Sequence, residues 1–519
     1  MNFDPKSKEG TRKVAVSNFN TIFIEEPWLT FGEGKRFIDP KKGLLAYGPC
    51  LYDDRRVISS SIRVGIIGSK ETVNLARQWI EKCQNRISGK EENSLLFQPF
   101  PGFTTIFGCR LCVLNECIEI VTHDEIDSIL RIRSFQQRVK SAAKLFLEKL
   151  SNFRGREPRP HVVICAFPQE IVDTCATREK GYLRTRIKLT EKEKAILKKI
   201  KEYRRIGQTT LFPPKEEYLE IGSEASNLRR LIKAGAMQLD IPTQLAKPET
   251  FMTDSADRLL QDEATRAWNF SVAIYYKAEG YPWKLADMQS GTCYVGVSFY
   301  KDPPESRGNM KSSIAQIFTH TGEGLVLRGG RAIIDEITKS PHLSESGAYQ
   351  LMVDVLEEYR KRMHQFPRRL VVHKSSRYKP DELSGFKKAA ECIELKDFVT
   401  IITRGIKFMR KKGIYPPVRG TVVQIGASNY ILFTRGWIPY FGTYPGLRVP
   451  TPIEIVEHHG DSPLETLCHE IFALTKMNWN SADFCIRKPI TLEYASEVGK
   501  ILAYVPEEVI PRPEYRFYM

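Results

Sequence analysis

Three clusters in the chain carry residue types that do chemistry at short spacing. Gly65-Ile66-Ile67-Gly68 closes an apolar run and precedes a helical stretch, where a dinucleotide pyrophosphate would meet a helix N-terminus. The full G-x-G-x-x-G fingerprint is absent, so a plain strand-to-helix turn is the expected reading. Cys109 and Cys112, followed by Cys117 and His123, have the count for a zinc site. The alternating apolar pattern of residues 109–121 puts Cys109 and Cys112 on opposite strand faces, which works against a shared metal. His458, His459 and Asp461, with His469 and Glu470 downstream, fit no known ligand spacing, and a solvated loop is expected there. H-E-x-x-H, G-x-S-x-G and Walker A patterns are absent, and no pair of acidic residues ends an apolar strand in the second half.

The elements that must position these groups read as α/β. Strand-like apolar runs at residues 63–68, 161–167, 293–300, 369–373 and 398–403 alternate with helical runs at 71–83, 140–152, 223–234, 259–277 and 347–363. Residues 421–425 and 430–433 flank Gly426-Ala427-Ser428 as a hairpin. Further on, 464–475 reads as a helix, 490–494 as a strand and 495–503 as a helix. Residues 1–45 are irregular and rich in Lys, Gly and Pro, which suggests an arm or linker. No repeat of 20–50 residues is present.

Composition narrows the partners. The 519 residues hold 78 Lys and Arg against 62 Asp and Glu, a net charge of +16, which favours polyanions such as nucleic acid, nucleotides or anionic lipid. Residues 178–205 are the most basic stretch, with 12 Lys/Arg against four Glu, and read either as a solvated helix or as a flap against a phosphate backbone. The longest apolar runs fall far short of the roughly 20 residues of a spanning helix. The first residues, MNFDPKSKEGTRK, have no apolar core after their charges, so no secretory signal is expected. Eleven cysteines without a framework suit free thiols in a reducing cytoplasm.

Three later stretches are more specific: YPPVRGT at 415–421, RGWIPYFGTYPGLRVP at 435–450, and LTKMNWNSADFCIRKPITLEY at 474–494. With Tyr281-Pro282-Trp283-Lys284-Leu285 and CYVGVSFY at 293–300, in this order, they resemble the PIWI domain of prokaryotic Argonaute proteins. Ile241-Pro242-Thr243-Gln244 resembles part of the MID domain that precedes PIWI. The resemblance covers roughly residues 45–519 and implies an arm at 1–45, a Rossmann-like MID domain at 46–284 and an RNase H-like PIWI domain at 285–519. Only about 280 residues precede the PIWI-like block, so the chain looks like a short, MID–PIWI-only Argonaute.

The resemblance also assigns roles. MID would hold the 5′ phosphate of a guide strand, with Arg229, Lys233, Gln244 and Lys277 at the matching positions; Arg229 and Lys233, four apart, share a helix face. Many relatives carry an aromatic residue or His where Arg229 stands. The aromatic end of the chain, Arg516 to Met519, would bring the Met519 carboxylate to a Mg²⁺ at the guide phosphate. PIWI slicing is a two-metal hydrolysis needing acidic ligands. At those positions this chain has Ser298, Lys374 and Ser496, so it is expected to bind without cutting, with Lys374 standing as a cation beside the phosphate. Arg404, Lys407, Arg410, Lys411, Lys412 and Arg419 are candidates for backbone contacts. The implied partners are a short 5′-phosphorylated guide RNA, a complementary target DNA, and an APAZ-domain effector bearing a TIR, sirtuin-like or nuclease activity, in an abortive-infection system that commonly depletes NAD. An active guided nuclease and an unguided basic α/β protein are the alternatives.

Overall fold

The computed structural model describes residues 20–50, 60–175, 227–252, 261–301, 310–318, 324–403, 413, 415–425, 429–446 and 449–519. The basic stretch 178–205 and Arg404, Lys407, Arg410, Lys411 and Lys412 lie outside these residues.

The first sheet is parallel throughout. Strands β1 (Ser61–Gly68), β2 (Arg110–Cys112), β3 (Ile118–Ile120), β4 (Val162–Ala166) and β5 (Thr243–Ala246) assemble around β1, with β2 and β3 sharing one of its edges and β4 then β5 on the other. Every residue of β4 is buried, as expected of a parallel strand covered on both faces. Helix α1 (Lys70–Gln84) starts at Ser69, whose hydroxyl accepts from the Thr72 amide, and buries Val73, Ala76, Ile80 and Cys83 along one stripe. Helix α2 (Phe135–Ser151) and helix α3 (Leu228–Gln238) pack on each other, and Gly235 permits it: a Cβ there would sit 2.4 Å from Leu147 Cδ1. Helix α4 (Glu263–Lys277), capped by Asp262, is buried along most of its length.

The second sheet has ten strands. Its core is β6 (Thr292–Lys301) paired antiparallel with β7 (Met310–Phe318) and parallel with β8 (Arg369–Lys374), which runs parallel with β9 (Leu395–Ile402). Helix α5 (Glu345–Met363) and helix α6 (Pro380–Ala389) pack together in the connections before and after β8. The sheet continues through β12 (Ile453–Gly460), β11 (Asn429–Leu432) and β10 (Thr421–Ile425), all antiparallel. Helix α7 (Leu464–Ala473) and helix α8 (Ile490–Leu502) close the fold, α8 lying on β6 and β7. The expected 490–494 strand is the first turn of α8: its apolar residues follow helical spacing, and Pro489 precedes the first turn.

The Lys/Gly-rich beginning is not an irregular arm over its described part. Asn20–Phe23 pairs antiparallel with β10 and forms one end of the large sheet, while Leu29–Thr30 bridges Arg36–Phe37 and Lys284–Leu285. Among the described residues no helix is long and apolar enough to cross a membrane.

Candidate nucleic-acid interface

Helix α3, strand β5 and the last turn of α4 bring Arg229, Lys233, Gln244 and Lys277 into one cluster. Leu228, Ile232 and Ala236 commit one stripe of α3 to the core, and Asn227 caps it by accepting from the Arg230 amide at 3.2 Å. That anchoring carries Lys233 inward, to 1% exposure, where its Nζ donates to the Thr243 carbonyl. Lys277, also 1% exposed, donates to Gln244 Oε1 at 2.7 Å. Arg229 is half-buried beside them.

Electrostatically the cluster is unbalanced. Burial pushes the Lys277 amine down to about 7, and the Arg229 guanidinium pushes the same way. Burial pushes Lys233 well below the ordinary lysine range, reinforced by Lys277 and Arg229; only the Cys165 thiol opposes. No carboxylate is among the charges acting on either lysine. Buried cations are ordinarily paired, so two buried amines beside a guanidinium, with no carboxylate among the described residues acting on the amines, suit an incoming anion. Thr243 Oγ1, buried and without a hydrogen-bond partner among the described residues, adds a hydroxyl on the same strand.

The same side chains bear on the expected divalent cation. Mg²⁺ takes hard oxygen donors, with carboxylates or phosphates to balance its charge. Here the one side-chain amide oxygen is engaged by Lys277, and among the described residues no group of three or more His, Cys, Asp or Glu could hold a metal. Met519 is buried, and the Tyr515–Phe517 turn before it packs on both α3 and α4. Among the described residues the cluster's side chains thus offer the expected Mg²⁺ no carboxylate, and the chain's own hard ligand for it would be the Met519 carboxylate. The turn also brings Tyr515, stacked on Tyr494 at 3.5 Å between ring centroids, to the neighbourhood of Arg229. The resemblance put the aromatic tail beside this cluster; the Tyr515–Tyr494 stack that seats it was not legible in the sequence.

Ser298 and Lys374 lie on neighbouring strands but not on one face: Val297 registers with Lys374 across the parallel β6–β8 pair and Phe299 reaches the Lys374 ammonium, which leaves Ser298, just after a bulge between Gly296 and Ser298, on the opposite face. Gly296 lets α8 approach: a Cβ there would lie 2.2 Å from the Thr491 carbonyl oxygen. Ser496 is half-buried on α8. Lys374 differs from its expected role beside a phosphate. It is fully enclosed, donating to Glu382 Oε2 at 2.6 Å and to the Arg377 carbonyl at 3.2 Å, with Phe299 and Tyr378 rings against its ammonium. Glu382 neutralises it, and Glu382 carried no signal in the sequence beyond a first-turn acid.

Two more expectations are corrected. Arg419 is turned inward: its guanidinium donates to Glu26 Oε1 at 2.9 Å, to Thr475 Oγ1 at 3.0 Å and to the Thr434 carbonyl, over the Phe472 ring. It is 1% exposed, so its guanidinium is enclosed by the protein and not presented to a nucleic-acid backbone. His458 and His459 lie on β12 rather than in a loop, and His458 Nε2 meets Asp397 Oδ1 at 2.8 Å. Burial pushes the Asp397 carboxyl up, but His458, Ser462 and Arg369 outweigh it and hold it below the usual carboxylate range. This is a buried ion network, closed by Arg369 on Glu470.

No known family profile matches the chain. A curated relative does: Protein argonaute of Aquifex aeolicus is 24% identical over 292 residues, covering 55% of this chain and 38% of that protein. The chain is homologous to Argonaute. Solved structures agree on the fold. Clostridium butyricum Argonaute, bound to a guide DNA with 5′ deoxycytidine and a 19-mer target DNA, superposes over 96% of this chain and 55% of its own, with a TM-score of 0.62 and 16% identity. Aquifex aeolicus Argonaute gives 0.53 over 95% of this chain at 16% identity, and Drosophila Piwi 0.52 over 96% at 12%. The chain spans about half the length of these structures, 55% and 56% for the Aquifex and Drosophila chains.

Proposed function

We propose that this chain holds the 5′ phosphate of a short guide RNA in the Arg229, Lys233, Gln244 and Lys277 cluster and presents the guide to a complementary target DNA without cutting it. The observation that carries this reading is the convergence of three basic side chains from two helices, with no carboxylate among the described residues acting on the two lysines. A terminal phosphate, a dianion with three acceptor oxygens, suits such a cluster better than a phosphodiester does. The parallel β1–β5 sheet is read as the MID-like unit and the ten-stranded sheet with α8 as the RNase H-like PIWI unit, which agrees with homology to Argonaute.

Absence of slicing rests on Ser298, Lys374 and Ser496. Two hydroxyls and an ammonium already spent on Glu382 supply no carboxylate for a metal pair. Target recognition would then be passed to an APAZ-domain effector in a defence complex; for that partner the sequence resemblance is the sole support. Binding of the purified chain to one short RNA, carrying either a 5′ phosphate or a 5′ hydroxyl, tests the reading. A phosphate preference that is lost in Lys233→Met is expected. Equal, purely salt-driven binding of both RNAs refutes it.

A further inference from the structure

Parts of the signature stretches that the phosphate cluster does not use meet elsewhere. LTKMNWNSADF and RGWIPYF converge with the segment at residues 20–50 on two buried side chains, Asp39 at 2% and Lys41 at 8% exposure. Asp39 caps the helix Pro40–Tyr47, its Oδ1 accepting from the Lys41 amide at 2.8 Å and the Lys42 amide at 3.3 Å. A cap needs only one oxygen. The other, Oδ2, accepts from Gln98 Nε2 at 2.8 Å, and the Tyr440 hydroxyl hydrogen-bonds the same carboxylate. Gln98 lies between α1 and β2, in the parallel-sheet unit, whereas Tyr440 lies between β11 and β12, in the ten-stranded unit. One carboxylate thus has partners in both.

Lys41 repeats the arrangement with the opposite charge. Burial pushes its amine down, opposed by the carboxylates of Asp39, then Asp483 and Asp262. Asp262 caps α4 in the parallel-sheet unit, and Asp483 lies between α7 and α8 in the other. Around the pair, Lys476 donates to Glu26 Oε2 at 3.4 Å and to the Ile38 carbonyl, and Asn93 Nδ2 donates to the Phe441 carbonyl at 3.3 Å. The Phe37 and Tyr440 rings meet edge-on, 6.4 Å between centroids. Helix α4 runs from Asp262 at this junction to Lys277 in the phosphate cluster, 15 residues or roughly 22 Å. The Tyr515–Phe517 turn joins the two units again beside Arg229 of that cluster. Two separate contacts, one towards each end of a buried helix, fix an angle that a single contact would leave free.

We propose that Asp39, seconded by Lys41, is a positioning residue that sets the angle between the two units, so that a guide anchored by its 5′ phosphate meets its target strand in register. Buried ion pairs add little net stability over apolar packing, but drawing a buried carboxylate away from its donors leaves its charge uncompensated. Apolar contacts such as Leu96 on Phe441 can slide at small cost; a carboxylate bonded to Gln98 and Tyr440 at once cannot. Lys277 stands at the opposite end of α4, so the anchor itself is left as it is when the junction loosens. The inference rests on the guide-binding reading above, and its test separates the two.

The test makes two binding measurements on the full chain. A 5′-phosphorylated dinucleotide reads the phosphate cluster alone, and a matching DNA strand, offered to the chain preloaded with a short guide RNA, reads the register. Asp39→Ala removes the helix cap along with the junction, so the test relies on Gln98→Met and Tyr440→Phe, each of which releases Asp39 from one unit only; urea midpoints establish that both are folded. Each is expected to bind the dinucleotide within about twofold of the wild type and to weaken target capture roughly three- to thirtyfold. The double variant is expected to lose less than the product of the two, because both act through one carboxylate. A purely structural defect lowers both measurements alike. Equal losses of dinucleotide and target, wild-type target capture in both variants, or losses that simply multiply overturn the positioning role and leave the guide-binding reading standing. A wild-type chain that takes no phosphorylated dinucleotide, or takes it and captures no target, overturns that reading and the inference with it.

Discussion

Phosphate capture in the Arg229, Lys233, Gln244 and Lys277 cluster should be accompanied by proton uptake. In the free protein burial holds the Lys277 amine at about 7, so at pH 8 about 90% of it is uncharged. A phosphate dianion brought against it favours the ammonium, which the ordinary lysine pKa of about 10.4 shows to be the stable form once desolvation is compensated. At Lys277 alone the difference is close to one proton per guide bound at pH 8, about half a proton at pH 7 and almost none at pH 6; uptake by Lys233 adds to it. The same linkage weakens binding about eightfold between pH 7.5 and 8.5. Removing a charge-assisted hydrogen bond, worth about 1.5–3 kcal/mol, with Lys277→Met should weaken 5′-phosphate binding roughly 10- to 150-fold and lower the uptake by about one proton. Isothermal titration calorimetry at pH 8, in two buffers of different ionisation enthalpy, reads the protons directly. That pH lies well above the phosphate's own second pKa of about 6, so the ligand contributes little. Identical heats in both buffers, with affinity flat from pH 7.5 to 8.5, would show the amine to be charged before binding and refute the reasoning.

The same amine sets a stability trend. Its folded pKa lies below its unfolded one, so the unfolded chain binds more protons between about pH 7 and 10 and stability rises with pH across that window; urea midpoints at pH 7 and 8.5 should show a larger gain for the wild type than for Lys277→Met. Lys374→Met leaves Glu382 buried and unpaired and should cost roughly 3–5 kcal/mol in urea unfolding, with Glu382→Gln in the same chain recovering part of the loss; independent, additive effects would contradict the pairing. Arg419→Ala should destabilise by a similar amount, roughly 3–5 kcal/mol, while folded protein keeps the wild-type salt slope for RNA, since Arg419 faces Glu26 and not solvent. With Mg²⁺ or Mn²⁺, a guide-loaded chain should leave a matched target DNA intact on a denaturing gel, and a discrete cut product would overturn the non-cutting proposal.

The sequence by itself determined a good deal. Apolar periodicity located β4, β6 and β8 to within a residue and missed the first three residues of β9, where Leu395 and Lys396 are not enclosed, because strands enclosed on both faces must be near-continuously apolar. Motif order pointed to Argonaute, and helical spacing with motif position chose Arg229, Lys233, Gln244 and Lys277, which the fold gathers. Other features depended on partners remote in the chain. Lys374 reads as a cation in any window of sequence, and only Glu382, across the β8–α6 connection, makes it an internal ion pair. Arg419 looks exposed within YPPVRGT until Glu26, 393 positions away, meets it. His458 changes from loop to sheet when Asp397 on β9 receives it. Residues 490–494 alternate well enough for a strand, and it is the surface of β6, with Gly296 open beneath Thr491, that takes them as helix. Spacing along a chain fixes which face a residue shares with its neighbours. Whether that face meets water, a counter-charge or another sheet is set by contacts between distant segments, and there the tertiary structure alone decides.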